Sequence, residues 1–200
     1  MLTSGDERTS PGTPQRPSSR PRRRLIRRLA ILLCLLAAVV AAGVPAYVRP
    51  QVDPLRRADA VLILSGPHHG RYPFGVDLAS QGWAPNLVIS NPGGADNTGL
   101  TEFCARPRPR ITVHCFVPDP PTTKGEGRQL RRLAERYGWH TVIVVTFQPH
   151  ISRARFILQQ CFDGDLVMVA SPTDISPARW GFEYLYQTAG YTRAILQPGC

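Results

Sequence analysis

The most chemically suggestive stretch of the chain is VTFQPHISRA, in which His150 and Arg153 are three residues apart. Residues at this spacing share one face of a helix, here predicted to begin just after an apolar run that ends at Thr146. Histidine can act as a general acid or base near neutral pH, and arginine beside a helix N-terminus concentrates positive charge. The pattern predicts proton transfer by His150 and anion binding by Thr146 and Arg153. A capping histidine with a surface-paired arginine is the alternative.

A second polar pair, Thr123 and Glu126, opens the preceding helical pattern. The spacing fits a capping box, in which the two side chains satisfy the unpaired N–H groups of the first helical turn. The same residues could instead face a cleft, with Glu126 as a general acid or base, or as the partner of an arginine, and Thr123 beside the ligand. Both interpretations stay open on the sequence.

Two loops that contain glycine add candidate anion-binding groups. The first runs from Ser65 and Gly66 to Arg71. Glycine allows close backbone approach, and arginine suits bidentate binding of a phosphate or carboxylate. In the second, Ser90 precedes the turn NPGG, whose backbone N–H groups can face an anion. An ordinary strand-to-helix loop and a simple turn are the competing explanations. The adjacent histidines in the first loop lack a third ligand, so we predict no metal and no cofactor.

The elements that position these residues are short apolar runs alternating with helical patterns. We predict strands over 59–64, 87–90, 111–117, 141–146 and 166–170, and helices over 72–81, 123–137, 151–161 and 178–196. This alternation is typical of a three-layer α/β fold with a mostly parallel sheet between helices. Such sheets bind ligands at the carboxyl ends of their strands, where the polar residues above are expected to lie.

The N-terminal region differs from this domain in composition. Residues 1–28 are rich in Ser, Pro, Thr and Arg and predict a disordered basic tail. Residues 29–48 hold no charge over a length that can cross a bilayer as a helix, and the arginines before them predict a cytoplasmic N-terminus. A cleaved signal peptide ending at the small residues 44–46 is the alternative. Either interpretation places 58–200 outside the cytoplasm, at the plasma membrane or secreted, behind a linker at 49–57.

Four of the five cysteines fall in this predicted extracytoplasmic domain, where disulfides persist. Three pairings of the four are possible in principle. We predict Cys104–Cys115, which closes a short loop rich in Pro and Arg, and Cys161–Cys200, which ties Cys200 to the domain. Zinc binding is the alternative, but the cysteine and histidine spacing does not favour it.

The charge distribution excludes one class of partner. The formal net charge is +10, and residues 1–57 hold 11 Arg against 3 acidic residues. Residues 58–200 therefore hold 13 basic and 11 acidic residues, a balance of only +2. A domain with this balance lacks the basic footprint of a nucleic-acid-binding protein. The GxGxxG, P-loop, HExxH and GxSxG motifs are absent, which disfavours several common enzyme classes.

Four short motifs occur in an order that resembles the YdcF-like domain family, which takes in the envelope proteins SanA and ElyC. They are SGPHHGR (65–71), GWAPNLVIS (82–90), TKGE (123–126) and VTFQPHISRA (145–154). The resemblance covers roughly 58–170 and implies a Rossmann-like fold behind one N-terminal membrane span. It also implies that Arg71, Glu126, His150 and Arg153 are the polar residues of the cleft. Phe147 departs from the family pattern, which has a small residue there.

Some members of this family are tied to cell-wall synthesis, use of a lipid carrier, or barrier function. We therefore expect a membrane-anchored, extracytoplasmic envelope protein whose cleft binds an anionic metabolite, either a small molecule or a lipid-linked one. If the protein is an enzyme, hydrolysis or transfer at a phosphoryl group fits Glu126 and His150 as catalytic residues. A non-catalytic scaffolding or binding module is the alternative. A protein that binds a nucleotide or S-adenosylmethionine is the third hypothesis.

Overall fold

The computed structural model describes residues 20–66 and 70–200. The chain divides into two units, one ending at Ala41 and the other running from Ala42 to Cys200. Helix α1, Arg20–Gly43, continues into a short π-helical turn, Val44–Val48. The stretch Arg22–Val48 is long and apolar enough to cross a membrane, with a mean hydropathy of 2.6 in its most apolar window, none of which is buried.

Helix α1 begins earlier than the sequence pattern predicts. Residues 20–28 belong to the predicted disordered tail, but they form the first turns of the helix. Arginine and leucine are good helix formers, so this basic segment continues the apolar helix towards the N-terminus without a break. The remainder of the predicted tail lies outside the described residues.

The second unit is built on a sheet of five strands, all parallel among the described residues. The strands are β1 Ala60–Ile63, β2 Asn86–Ser90, β3 Thr112–Phe116, β4 Thr141–Phe147 and β5 Asp165–Ser171. Their order across the sheet is β3-β2-β1-β4-β5. The chain winds outward from β1 to β3 and then returns to β4 on the other side of β1. This order is Rossmann-like and confirms the predicted fold class; the reversal beside β1 opens a crevice at the carboxyl ends of the strands.

Helices cover both faces of the sheet. They are α2 Arg71–Ser80, α3 Thr98–Ala105, α4 Thr123–Tyr137, α5 Ile151–Leu158 and α6 Pro177–Leu196, with a 3-10 turn, Gln148–His150, between β4 and α5. Successive side chains of β1 point to opposite faces. Ile63 shares a core cluster with Leu78 of α2, whereas Leu62 shares one with Leu130 of α4. Since both faces are buried, the strand is apolar throughout.

Helix α3 was not predicted from the sequence. The side chain of Asn97 accepts a hydrogen bond from the Leu100 N–H at 3.2 Å and so caps the start of the helix. Leu100 is buried in the core. The helix is short and carries little apolar periodicity, so its cap and its packing form it rather than an amphipathic pattern.

Two disulfides lie within the second unit, and both match the predicted pairings. Cys104 at the end of α3 is joined to Cys115 in β3, and Cys161 just after α5 is joined to Cys200. The first bond fastens α3 to the edge of the sheet. The second fastens the segment after α6 to the end of α5.

Residues 49–57, predicted as a linker, form no regular element but are fastened to the sheet. The Asp53 N–H donates to the carbonyl of Met168 at 3.0 Å. The Asp53 carboxylate accepts hydrogen bonds from the Met168 N–H at 2.8 Å and from Arg155 at 2.7 Å. Met168 lies in β5 at the sheet edge, so Asp53 covers backbone groups that would otherwise stay unpaired.

Candidate functional site

A cavity of about 780 Å³ opens at the carboxyl ends of the central strands. Ser65 and Gly66 follow β1 and form part of the cavity wall. Phe147, the last residue of β4, and His150, in the turn after it, form the neighbouring part. The first turn of α4, which carries Thr123, and helix α6 supply the other sides. The cavity therefore occupies the crevice that the strand order creates.

Of the nine predicted site residues, some line the cavity and others lie beneath it. The residues that line it are Ser65, Gly66, Thr123, His150 and Arg153. The residues that are fully buried and do not line it are Arg71, Ser90, Glu126 and Thr146. A ligand in the cavity would contact the residues that line it. The buried residues could affect such a ligand only by holding the lining residues in place. The adjacent histidines, His68 and His69, lie outside the described residues.

Glu126 turns inward from the first turn of α4 to the loop after β1. Its Oε1 accepts a hydrogen bond from the Ser65 N–H at 2.7 Å. The capping-box interpretation is wrong, because the N-cap residue is Thr122 and no side-chain cap bond forms. The Ser65 N–H lies in a part-buried loop where it needs an acceptor, and the carboxylate of Glu126 supplies it.

The surroundings of Glu126 have opposing effects on the pKa of its carboxyl group. Burial raises the pKa of its carboxyl group, while hydrogen bonding from Ser65 and the charge of Arg71 act to lower it. The Ser90 hydroxyl also lies near enough to favour the carboxylate, although its Oγ makes no hydrogen bond of good geometry with a described residue. Burial is the larger effect, so the pKa of the Glu126 carboxyl group is raised above its usual range.

Arg71, at the start of α2, is a fully buried side chain that fastens the same loop. Its Nη1 donates to the carbonyls of Leu64 at 3.1 Å and Ser65 at 2.8 Å. Its guanidinium also lies 5.4 Å from the ring centroid of Phe147, within cation–π range. Burial lowers the pKa of Arg71, but an arginine keeps its charge at any ordinary pH. These contacts hold the loop after β1 in place, and the role of Arg71 in ligand binding stays a prediction.

Gly66 is the position where this loop requires glycine. Its φ is +132°, which L side chains rarely adopt, and an added Cβ would lie 3.3 Å from Nη1 of Arg71. The residue therefore lets the backbone pass close over the guanidinium and still form part of the cavity wall.

His150 is buried between two threonine hydroxyls. Its Nδ1 lies 2.9 Å from Thr146 Oγ1, and its Nε2 lies 3.4 Å from Thr123 Oγ1. Burial, together with the positive charges of Arg153 and Arg71, holds the pKa of His150 well below its usual range. The imidazole is therefore neutral at neutral pH. Because a hydroxyl can donate or accept, the ring can hold its proton on either nitrogen.

Arg153 is held at the cavity wall by a chain of side chains on α6. Its Nε donates to Gln187 Oε1 at 2.7 Å, and Gln187 Nε2 donates to Glu183 Oε2 at 2.8 Å. The other oxygen of Glu183 forms an ion pair with Arg179 at 2.6 Å. The guanidinium of Arg153 also lies 5.4 Å from the ring centroid of Tyr186. These contacts fix its position before any ligand arrives.

The lining of the cavity is basic. It contains four cationic side chains, Lys124, Arg153, Arg179 and Arg193, and a single carboxylate, Glu183, among the described residues. Glu183 is already paired with Arg179. The other three cations form no ion pair within residues 20–66 and 70–200. A concave site with this charge attracts an anion.

Sequence reasoning missed the contribution of α6 to the site. Arg179, Glu183 and Arg193 come from this helix, whereas the predicted site residues come from strand ends and from the helix starts that follow them. The i, i+4 spacing of Arg179 and Glu183 was a visible signal of an ion pair on one helix face. That face packs against the turn after β4, and this tertiary contact cannot be predicted from the local sequence.

Comparison of the chain with protein-family models, curated proteins and solved structures finds no match. The class is therefore stated from the geometry: a Rossmann-like α/β domain with a basic cavity at its crevice, preceded by a helix of membrane-spanning length. Among the described residues, no group of three or more His, Cys, Asp or Glu side chains could hold a metal ion. The resemblance to the YdcF-like family stays a prediction.

Proposed function

We propose that this protein is a membrane-anchored, extracytoplasmic component of the cell envelope whose cavity binds an anionic metabolite bearing a phosphate or carboxylate group. The observation that carries the proposal is the basic lining of the cavity, whose one described carboxylate is already paired. The apolar N-terminal helix and the two disulfides support the location, since disulfides persist outside the reducing cytosol. The arginines in the first turns of the helix, which precede its uncharged stretch, support a cytoplasmic N-terminus.

An anion in the cavity would meet two kinds of group. Lys124, Arg153 and Arg193 supply positive charge, and Thr123 and the neutral His150 supply hydrogen bonds. Each hydrogen bond to a charged group contributes about 1.5–3 kcal/mol. Because Arg153 is already held by its contacts with α6, little side-chain freedom is lost there on binding.

The same arrangement suits hydrolysis or transfer at a phosphoryl group. A neutral imidazole at His150 can accept a proton from an attacking hydroxyl or water, while the cations stabilise charge on the phosphoryl oxygens. Thr146 orients the ring through Nδ1, and Nε2 lies towards the cavity-lining Thr123. Glu126 lies beneath the cavity, so it would act by positioning the Ser65 loop rather than by touching the substrate.

The proposal is tested by calorimetric titration of the full chain in detergent micelles with inorganic pyrophosphate and with citrate. We expect at least one of the two anions to bind, and binding to weaken as salt is added. Arg193→Gln removes one exposed cation from the lining and should weaken binding by roughly 10- to 150-fold, since a charged hydrogen bond contributes about 1.5–3 kcal/mol. Arg132→Gln is the matched control, because Arg132 is an exposed arginine on α4 that contacts Gln129 outside the cavity.

Two results would contradict the proposal. One is the absence of binding by both anions at low salt in a chain that unfolds cooperatively. The other is equal weakening by Arg193→Gln and Arg132→Gln, which would mean that the anions respond to overall charge and not to the cavity.

A further inference from the structure

The turn that ends the apolar span is fastened to the elements that form the cavity. Val44–Val48 packs against the 3-10 turn after β4, against α5 and against α6. The hydrogen bonds join Ser152 Oγ to Ala46 O at 2.8 Å, Gln148 Nε2 to Val48 O, and the Tyr47 hydroxyl to Thr188 Oγ1 at 3.0 Å. The rings of Tyr47 and Tyr184 also meet edge to face with centroids 5.3 Å apart. The point where the span ends and the wall of the cavity are thus held together.

Helix α6 carries an exposed apolar face beside these contacts. Phe182, Leu185 and Leu196 are 51%, 76% and 75% exposed, and Ala189 between them is also exposed. Their spacing of i, i+3, i+7 and i+14 places them on one side of the helix. Large apolar side chains exposed together on one face mark an interaction surface.

We propose that this face of α6, formed by Phe182, Leu185, Ala189 and Leu196, docks on the surface of the bilayer that the apolar helix spans. The inference rests on the proposed membrane anchor. Tyr184 and Thr188, next to this face on the same helix, contact Tyr47, which lies one residue before the end of the span. A helix with its side chains is about 10–12 Å across, so Leu185 and Ala189, each next to a residue that contacts Tyr47, lie within about that distance of the end of the span.

The composition around the face fits a lipid surface. Arg179 and Arg193 lie on the side of α6 that lines the cavity, where their guanidinium groups can meet the phosphates of lipid headgroups. The tyrosines at the contact with the span are the residue type enriched at membrane interfaces. Phe182 and Ala189 belong both to the apolar face and to the cavity lining. Docking would therefore bring the mouth of the cavity to the headgroup layer, where a ligand can arrive from the membrane.

The test uses the full chain with Cys34→Ser, which removes the one cysteine outside the two disulfides. A fluorophore is attached at Leu185→Cys, or at Asp163→Cys as the matched control. Asp163 is exposed just before β5, at the opposite end of the sheet from the cavity. Each protein is reconstituted in vesicles of phosphatidylcholine and phosphatidylglycerol, with or without brominated acyl chains that quench nearby fluorophores. A docked helix sits about 5–10 Å into the boundary between headgroups and acyl chains, so quenching at 185 should be several-fold greater than at 163.

The outcomes separate this inference from the proposal on which it rests. If the chain fails to float with the vesicles in a density gradient, the membrane anchor itself is wrong. If it floats but position 185 is quenched no more than position 163, the anchor stands and the docking is wrong. Self-quenching at 185 that grows with protein density, without quenching by bromine, would show that a second copy of the chain covers the face instead.

Discussion

Replacing Arg71 with methionine separates the two roles that an arginine can have near the cavity. Arg71 is fully buried, and its Nη1 donates to the carbonyls of Leu64 and Ser65. Arg193 is exposed and lines the cavity directly. The sequence pattern predicts a ligand-binding role for Arg71, whereas its described hydrogen bonds hold the loop after β1. Arg71→Met should therefore act first on stability and only secondarily on binding.

The minimum size of the effect follows from the loss of the hydrogen bonds to the carbonyls of Leu64 and Ser65. A hydrogen bond from a charged donor contributes about 1.5–3 kcal/mol, and each carbonyl left without its donor in a buried place adds a further cost. Methionine fills much of the same volume and recovers part of the packing. We expect the free energy of unfolding to fall by about 3 kcal/mol, which is a large share of the roughly 5–15 kcal/mol typical of a folded domain.

Urea unfolding of the full chain in detergent micelles, followed by tryptophan fluorescence, measures this loss. Arg193→Met is the control, and its free energy of unfolding should stay within about 0.5 kcal/mol of that of the wild type. If Arg71→Met were as stable as the control but no longer bound pyrophosphate, the guanidinium would be a ligand group and the reasoning from its carbonyl contacts would be refuted.

The pKa of His150 is held well below its usual range, so the unfolded chain takes up a proton that the native state excludes as the pH falls below about 6.5. Stability should therefore decline on acidification from about pH 7 to pH 5, and His150→Gln should decline less over the same interval, as urea midpoints at each pH will show. An equal decline would place the titrating group elsewhere. The disulfides Cys161–Cys200 and Cys104–Cys115 span sequence separations of 39 and 11. Replacing each pair by serine should lower the free energy of unfolding by about 4 and about 3 kcal/mol, and the reverse order in calorimetry would contradict the loop-entropy argument.

The sheet could be predicted from the sequence because its central strands are buried on both faces. The AVLI run of β1 and the TVIVVTF run of β4 are nearly unbroken apolar stretches, a pattern typical of parallel strands between helices. Helix α3 could not be predicted in the same way. It is eight residues long, buries Leu100 alone among its residues, and depends on the cap at Asn97 and on the disulfide through Cys104.

Only the part of the site that lies at the ends of strands could be predicted from the sequence. His150 and Ser65 were found because the carboxyl ends of parallel strands meet at one edge of the sheet. The direction of the Glu126 side chain could not be predicted, because a capping box and an inward-facing carboxylate have the same local spacing. The two differ only through a tertiary contact, the hydrogen bond from the Ser65 N–H. The residues of α6 reach the cavity through tertiary packing, to which no local pattern in the sequence corresponds.

The position of β1 in the middle of the sheet has a consequence for synthesis of the chain. β1 is made soon after the apolar helix, but its partner on one side arrives much later, since Ala60 pairs with Val142. At roughly 5–20 residues per second, about 4–16 s separate the two strands. During that time β2 can cover one edge of β1, while the other edge is an unpaired apolar strand of the kind that aggregates. Until β4 is complete, something other than β4 must therefore cover that edge if the newly made chain is not to aggregate.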